Sequence, residues 1–172
     1  GTKRFKLIGD SKIKRVTFSL DSDSHWYASI LIDKKEEIKY ASTNKTCGID
    51  VGIKDSVIVA DATKHITQNL PLKLKGLDKK LQKYQRRMSR KVLNSKNRFK
   101  AKTKVGRIHF KIKKIRENFQ HQFSNSVLKH FDVITMETLS IQNLMKNSRL
   151  AKAIQNQSWY SLKNNLKVKA ER

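Results

Sequence analysis

The sequence contains almost no cysteine or proline, few acidic residues and no long hydrophobic run. Its one cysteine, Cys47, cannot form an internal disulfide, and it cannot build a zinc site alone. There is no run of about 18 apolar residues and no hydrophobic segment behind the N-terminus, which argues against a membrane span and a secretory signal. With one proline and 37% hydrophobic residues, the chain is predicted to fold into one or two domains.

Positive charge is the most pronounced feature that is present. The 39 Lys and Arg outnumber the 14 Asp and Glu, which gives a net charge of +25. Between Lys73 and Arg116 lie 19 basic residues and a single acidic one, Asp78. Such a surface releases condensed counterions when it binds phosphates, so DNA or RNA is the predicted partner and salt should weaken binding steeply. A membrane surface or an acidic protein rarely requires so much charge on so long a segment.

Short β-rich runs occur at both ends of the charged segment. Two of them are separated by the polar residues 21–24, which indicates a hairpin. A change of composition near residue 45 predicts a boundary between a small β appendage and a main domain. Another run closes on Glu137 and is predicted to be a short buried strand. The predicted strands are residues 13–20, 25–32, 47–53, 56–60 and 132–137.

The charged segment itself has the apolar spacing of helices. Apolar residues recur every three or four positions, with a polar interruption at residues 94–97, which predicts two long basic helices folded back on each other. Core packing explains the apolar stripes, whereas charges of nearly one sign are unusual for an ordinary solvated face. The stripes are Leu74, Leu77, Leu81, Tyr84 and Met88, then Val105, Ile108, Ile112, Ile115, Phe119, Phe123, Val127 and Phe131.

Two acidic residues are associated with predicted strands. Asp50 lies between Ile49 and Val51 in an apolar run flanked by glycines, and Glu137 ends another apolar run. A carboxylate held beside a core is costly unless it is paired with a cation or bound to a metal. In so basic a chain a salt bridge is a simple explanation. Position alone leaves both interpretations open.

The motifs around these acids resemble the TnpB/OrfB family of transposon-encoded proteins, which are relatives of type V CRISPR nucleases. The resemblance covers residues 47–172 nearly throughout, and residues 13–32 look like the closing hairpin of the family's wedge β-barrel. A lone Gly-x-Asp-x-Gly is a weak signal, but the ordered set is specific. The matching segments include Gly48–Asp55, Met88–Lys91, Asn94–Ala101, Arg107–His109, Ile134–Leu139, Leu144–Asn147 and Lys169–Arg172.

The resemblance implies an α/β fold of the RNase H-like (RuvC) type. Its mixed sheet would carry Asp50 on the first strand and Glu137 on the fourth, with the basic helical hairpin inserted. Residues 1–45 would be strands of a wedge or OB-like barrel, and residues 46–172 an incomplete nuclease domain. The family's third acidic motif and its zinc ribbon are expected beyond Arg172, so zinc is expected only there.

The activity that the resemblance implies is RNA-guided hydrolysis of DNA with Mg²⁺ or Mn²⁺ held by Asp50 and Glu137. DNA and a guide RNA are the expected partners, in the nucleoid of a prokaryotic cytoplasm. With two acids only, we expect little or no cleavage by this chain, and self-association through surface that the missing part would cover. The expected phosphate-binding residues are Arg86, Arg87, Arg90, Lys91, Lys96, Arg98, Lys100, Lys104, Arg107 and Lys111.

Two other classes of function explain part of the sequence. One is a nuclease-inactive regulator that only binds DNA or RNA, and the other is a basic structural RNA-binding protein with a helical hairpin. Four aromatic residues could stack on bases, although core packing is the commoner role. They are Tyr84, Phe99, Trp159 and Tyr160. The five histidines have no metal-ligand spacing and are expected at the surface.

Overall fold

The computed structural model describes residues 12–21, 25–33 and 42–171. The chain divides into two compact units. One comprises Gly1–Ile38 and Leu81–Phe110, and the other comprises Lys39–Lys80 and Lys111–Arg172. This grouping follows spatial contacts, so the predicted division of the sequence near residue 45 stays a prediction.

A two-stranded antiparallel hairpin belongs to the first unit. Strand β1 spans Ile13–Leu20 and β2 spans Trp26–Ile32, with Leu20 paired with Trp26 and an irregular register between Ile13 and Arg15. The predicted hairpin is therefore confirmed, although loop residues 22–24 lie outside the described residues. In the same unit the ring of Tyr27 on β2 lies 5.8 Å from that of Phe110.

The second unit contains a four-stranded mixed sheet. Its strands are β3 (Thr46–Asp50), β4 (Val57–Ala60), β5 (His65–Gln68) and β6 (Val133–Met136), in the order β5-β4-β3-β6. Strands β3, β4 and β5 are antiparallel neighbours, and β6 pairs with β3 in parallel. Sequence reasoning missed β5, since Ile66 is its only apolar residue and no alternating pattern marks it.

One face of this sheet is covered by helices and forms a hydrophobic core. On β3, Cys47 and Ile49 point into the core, while Asp50 is exposed on the opposite face, as strand alternation requires. Burial raises the pKa of the Cys47 thiol. The expectation that the last strand is buried was wrong, because β6 is an edge strand of the described sheet. Its first residue, Val133, is 57% exposed.

Five helices complete the described part of the chain. Helix α1 spans Lys73–Ser89 and α2 spans Lys96–His130, which confirms the two long basic helices and the break between them. Gln85 Nε2 lies 3.5 Å from His109 Nε2, so α2 returns alongside α1. The stripe on α2 is largely buried, whereas on α1 only Leu74 is. The remaining helices are α3 (Ile141–Met145), α4 (Ser148–Gln157) and α5 (Trp159–Ala170). None of the helices described is apolar over a length sufficient to cross a membrane.

Candidate metal site and nucleic-acid interface

The two candidate carboxylates lie at the carboxyl ends of neighbouring strands. In the parallel pairing of β3 with β6, Ile49 is the partner of Met136. The residue after each of these is an acid, Asp50 at the end of β3 and Glu137 directly after β6, so the two acids follow neighbouring positions of the sheet. Neighbouring strands are about 4.8 Å apart. Asp50 and Glu137 are far apart in the sequence, but this spacing brings them within reach of one ion. Both acids are exposed to solvent.

These carboxylates are free of other protein partners in the described part of the chain. Neither Asp50 nor Glu137 has a salt bridge or a side-chain hydrogen bond there. The salt-bridge interpretation that the sequence left open therefore finds no partner among residues 12–21, 25–33 and 42–171. Carboxylate oxygens are hard ligands, and Mg²⁺ is often bound by one or two carboxylates with water and substrate phosphate completing its shell. The pair fits one such ion. Among residues 12–21, 25–33 and 42–171, no group of three or more His, Cys, Asp or Glu could hold a metal.

The loop after Asp50 is tightly constrained. A Cβ on Gly52 would lie 2.8 Å from the backbone oxygen of Asp55, so only glycine fits there without a shift of the backbone. The Gly52 amide donates to the Ser56 carbonyl at 3.4 Å. From α4, Gln157 Nε2 donates to the Ile53 carbonyl at 3.1 Å. These contacts fix the chain where it leaves the candidate metal site.

The opposite end of the two strands is held by Asp132. Its carboxylate accepts hydrogen bonds from Ser42 Oγ at 2.8 Å, from the Asn44 amide at 2.7 Å and from the amide and hydroxyl of Thr43. The Ser42 hydroxyl contributes most to lowering the pKa of Asp132, and the Asn44 and Thr43 bonds act in the same direction. The Asp132 amide donates to the Lys45 carbonyl at 2.9 Å. Asp132 thus ties the start of β6 to the start of β3 and stabilises their register.

A basic cleft of about 490 Å³ opens between the two helices of the hairpin, within the first unit. Five of the ten predicted phosphate-binding residues line it, and none of its lining residues is acidic. Arg87 also lies 5.9 Å from the centroid of the Tyr84 ring, a cation–π distance. Asn97, which sequence reasoning missed, adds an amide. The cleft, called the hairpin cleft below, is lined by Tyr84, Arg87, Arg90, Lys91, Asn97, Lys100, Ala101 and Lys104.

The other predicted phosphate-binding residues lie outside the hairpin cleft. Arg98 is half-buried, and its Nη1 donates to the Met88 and Lys91 carbonyls at 3.1 Å each. It therefore closes the turn between the helices. The other four, Arg86, Lys96, Arg107 and Lys111, are exposed on α1 and α2.

The four aromatic residues differ in their exposure, whereas the histidines are alike. Trp159 is buried in the core, while Phe99 and Tyr160 are exposed and Tyr84 lines the hairpin cleft. Core packing therefore accounts for Trp159 alone. All five histidines are exposed, as the sequence predicted. They are His25, His65, His109, His121 and His130.

Comparison with known proteins gives a family match and two relatives. Residues 29–148 match the family model OrfB_IS605, described as a probable transposase. A Streptomyces pristinaespiralis protein is 36% identical over 155 residues, which cover 90% of this chain and 37% of that protein. InsQ of Escherichia coli K12 is 29% identical over 172 residues, covering 91% of this chain and 42% of InsQ. Both names contain "Putative RNA-guided DNA endonuclease". The chain thus spans about two fifths of each relative.

Proposed function

This chain belongs to the OrfB_IS605 family of probable transposases. From that premise we propose that it is part of the nuclease domain of an RNA-guided DNA endonuclease. The names of both relatives describe that activity. The proposal includes an RNase H-like (RuvC) fold, a divalent metal site at Asp50 and Glu137, and a basic hairpin that binds nucleic acid. DNA and a guide RNA are the proposed partners, and a nucleoid-associated location in the cytoplasm follows from them.

The observation that carries the proposal is the parallel pairing of β3 with β6. An RNase H-like fold requires the first and fourth strands of its sheet to be neighbours, each with a catalytic acid. In the described sheet β3 is the first strand and β6 the fourth, and the two are neighbours, which supports the proposal. The two acids follow the last paired residues, Ile49 and Met136, and no cation among the described residues pairs with either of them. A merely structural role leaves that coincidence unexplained.

The chemistry follows from what these side chains hold in place. A bound Mg²⁺ or Mn²⁺ would supply an activated water and stabilise the leaving oxygen of a DNA phosphodiester. Asp50 and Glu137, which are both exposed to solvent, would bind that ion. The core residue Ile49, on the other face of the sheet, fixes the backbone from which Asp50 projects. The loop contacts of Gly52 and Gln157 limit its motion.

The hairpin contributes binding rather than chemistry. Its cationic side chains suit phosphate oxygens, which position a nucleic acid without reading its sequence. In an RNA-guided enzyme, base pairing between guide and target reads the sequence. Tyr84 at the hairpin cleft offers an aromatic face to a base or to Arg87. In this proposal the hairpin binds phosphates and the sheet binds the metal.

A second candidate function is nucleic-acid binding without cleavage. The absence of a third candidate ligand near the two acids, within the described residues, favours it. In that case the hairpin would bind DNA or RNA in the same way, while Asp50 and Glu137 would bind no metal. Metal binding therefore separates the two candidates.

Isothermal titration of the chain with Mn²⁺ tests the proposal. We expect a binding heat that is lost in Asp50→Ala and in Glu137→Ala, because each removes one of two shared ligands. Glu171→Ala is the matched control, since this exposed acid lies on the C-terminal side of α5 and pairs only weakly with Lys167 at 3.9 Å. Retention of the heat in both acid variants would contradict the metal site. No heat in the parent chain, with intact DNA binding, would favour the second candidate.

A further inference from the structure

A second basic cleft lies in the second unit, next to the loop that follows Asp50. Its volume is about 480 Å³, within the usual range for ligand pockets. Ile53 and Lys54 of that loop line one side, so the cleft begins three residues beyond the candidate metal ligand. The end of α4 also contributes lining residues. We call it the loop cleft, lined by Ile53, Lys54, Ser56, Asn69, Leu70, Pro71, Leu72, Leu74, Lys75, Asp78, Arg116, Ala153, Asn156 and Gln157.

The charge of the loop cleft is positive and partly withdrawn from water. Lys54, Lys75 and Arg116 face a single acid, Asp78. Arg116 is half-buried, and desolvation lowers the pKa of its guanidinium while Asp78 opposes that shift. Arg116 Nη2 donates to Asn156 Oδ1 at 2.6 Å, and Asn156 Nδ2 donates to Asp78 Oδ2 at 3.4 Å. The side-chain amide of Asn156 thus links the Asp78 carboxylate to the Arg116 guanidinium. A bound anion would offset the positive charge that Asp78 leaves unbalanced.

Hydrogen bonds between its lining residues hold the loop cleft in place. Ser56 N donates to Asn69 Oδ1 at 2.9 Å, and Leu70 N donates to Ser56 Oγ at 3.1 Å. Gln157 holds the Ile53 carbonyl from the other side. A preformed cleft loses little conformational freedom when a ligand binds. Apolar side chains line much of the remaining surface, and Leu72 is 78% exposed.

We propose that the loop cleft binds one nucleotide unit of a single strand that continues from the Asp50–Glu137 edge. A nucleotide matches the lining because it combines a phosphate for Lys54 and Lys75 with flat apolar surface for Leu72 and Pro71. Ile53 lies three residues beyond Asp50 and lines the cleft. In this proposal, a strand whose phosphate lies at the acids continues along that loop into the cleft. This inference rests on the proposed function and adds a subsite that holds the strand being cut.

Photo-cross-linking maps the subsite. The probe is a short oligothymidylate carrying thiothymine, irradiated with the intact chain and followed by peptide mapping. We expect cross-links in the peptides that line the loop cleft, in addition to those at the hairpin cleft. Excess thymidine monophosphate should leave the loop-cleft cross-links in place, because a continuous strand binds at several points. If excess thymidine monophosphate removes the loop-cleft cross-links, the occupant is a free nucleotide and the proposal of a bound strand is wrong.

Substitutions then test the charges. Lys54→Ala/Lys75→Ala should remove the loop-cleft cross-links and reduce the salt slope of binding by about 0.7 for each lost phosphate contact. Lys129→Ala/Lys146→Ala removes equal charge from exposed positions of the same unit outside the cleft and should change neither. Asp78→Asn keeps an acceptor for Asn156 and should tighten binding by roughly threefold. A gain of affinity cannot result from misfolding.

The outcomes separate this inference from the function on which it rests. Cross-links at the hairpin cleft alone would overturn the subsite and leave the nucleic-acid interface intact. Equal losses in the Lys54/Lys75 and Lys129/Lys146 variants would also overturn it, because the effect would then be one of net charge. An absence of binding by the parent chain would overturn both the subsite and the nucleic-acid-binding function.

Discussion

At the scale of single residues, the alignment of the two candidate metal ligands depends on Asp132. This carboxylate lies at the far end of β3 and β6 from Asp50 and Glu137 and accepts hydrogen bonds from three consecutive residues, 42–44. A shift of one residue between β3 and β6 would move one of the two acids to the other face of the sheet. The hydrogen bonds of Asp132 oppose such a shift, so a structural residue contributes to the geometry of the candidate site.

Asp132→Asn should lower the thermal midpoint at neutral pH, on the order of a few degrees. An amide NH₂ group replaces one of the two accepting oxygens, both of which face donors. Because the folded-state pKa of Asp132 is below its ordinary 3.8, the carboxylate stabilises the fold above that value and ceases to do so as pH falls through the folded pKa. The difference in thermal midpoint between the parent and Asp132→Asn should therefore become smaller as the pH falls.

Circular-dichroism melts of both proteins across that pH range measure the effect. Asp61, whose pKa is lowered to about 2 by its bonds to Thr63 and Lys64, titrates in both and cancels from the comparison. Glu171→Gln is the control for loss of one exposed acidic charge. A difference that stays constant down to strong acid would remove ionised Asp132 as its cause.

Arg98 and Asp132 illustrate what sequence reasoning cannot resolve at this scale. Arg98 is one of many cations in a basic segment, and nothing in the local sequence distinguishes a phosphate ligand from a side chain that closes a turn. Asp132 precedes an apolar run, and that pattern predicts a place in a buried strand. Both roles depend on backbone groups brought near by folding, the Met88 carbonyl in one case and the Asn44 amide in the other.

At the scale of elements, the hairpin cleft gathers its cations from two antiparallel helices. Arg90 follows the end of α1 and Lys100 belongs to the first turns of α2, and both line the cleft. Lys83 and Lys102 are exposed on the same two helices but do not line it. The hairpin thus offers two pairs of cations that are equal in charge and differ in position.

Arg90→Ala/Lys100→Ala should reduce the salt slope of single-strand binding by about 1.4, since each phosphate contact contributes about 0.7. Lys83→Ala/Lys102→Ala should leave the slope nearly unchanged and weaken binding only through net charge. Fluorescence anisotropy with a labelled oligonucleotide over a range of chloride concentrations gives both slopes. Equal slopes for the two variants would show that binding follows total charge rather than the hairpin cleft.

The elements differ in how far the sequence predicted them. Helices α1 and α2 are long enough for an apolar period to repeat many times, so their positions and the break between them were predicted well. The four-residue strand β5 is too short and too polar to carry such a signal. The parallel pairing of β3 with β6 joins segments separated by both helices. Periodicity carries no information about that pairing, and only the family resemblance supplied the expectation of neighbouring acids.

At the scale of the whole molecule, 172 residues carry a net charge of +25. Like charges at this density repel one another in the compact state, and salt screens exposed charges over a Debye length of about 10 Å at 0.1 M. Salt also competes with the protein for nucleic-acid phosphates. The same ions should therefore stabilise the free fold and weaken its complex with DNA or RNA.

The thermal midpoint of the free chain should consequently rise by several degrees between low salt and physiological ionic strength, while affinity for an oligonucleotide falls over the same range. Sodium chloride is the appropriate salt, because sulfate would add stabilisation by exclusion from the surface. Lys83→Gln/Lys102→Gln should raise the midpoint at low salt and lose that advantage as salt increases, since it removes repulsion that salt would otherwise screen. A midpoint that is independent of chloride, or equal gains of the variant at all concentrations, would mean that self-repulsion does not limit the stability of this fold.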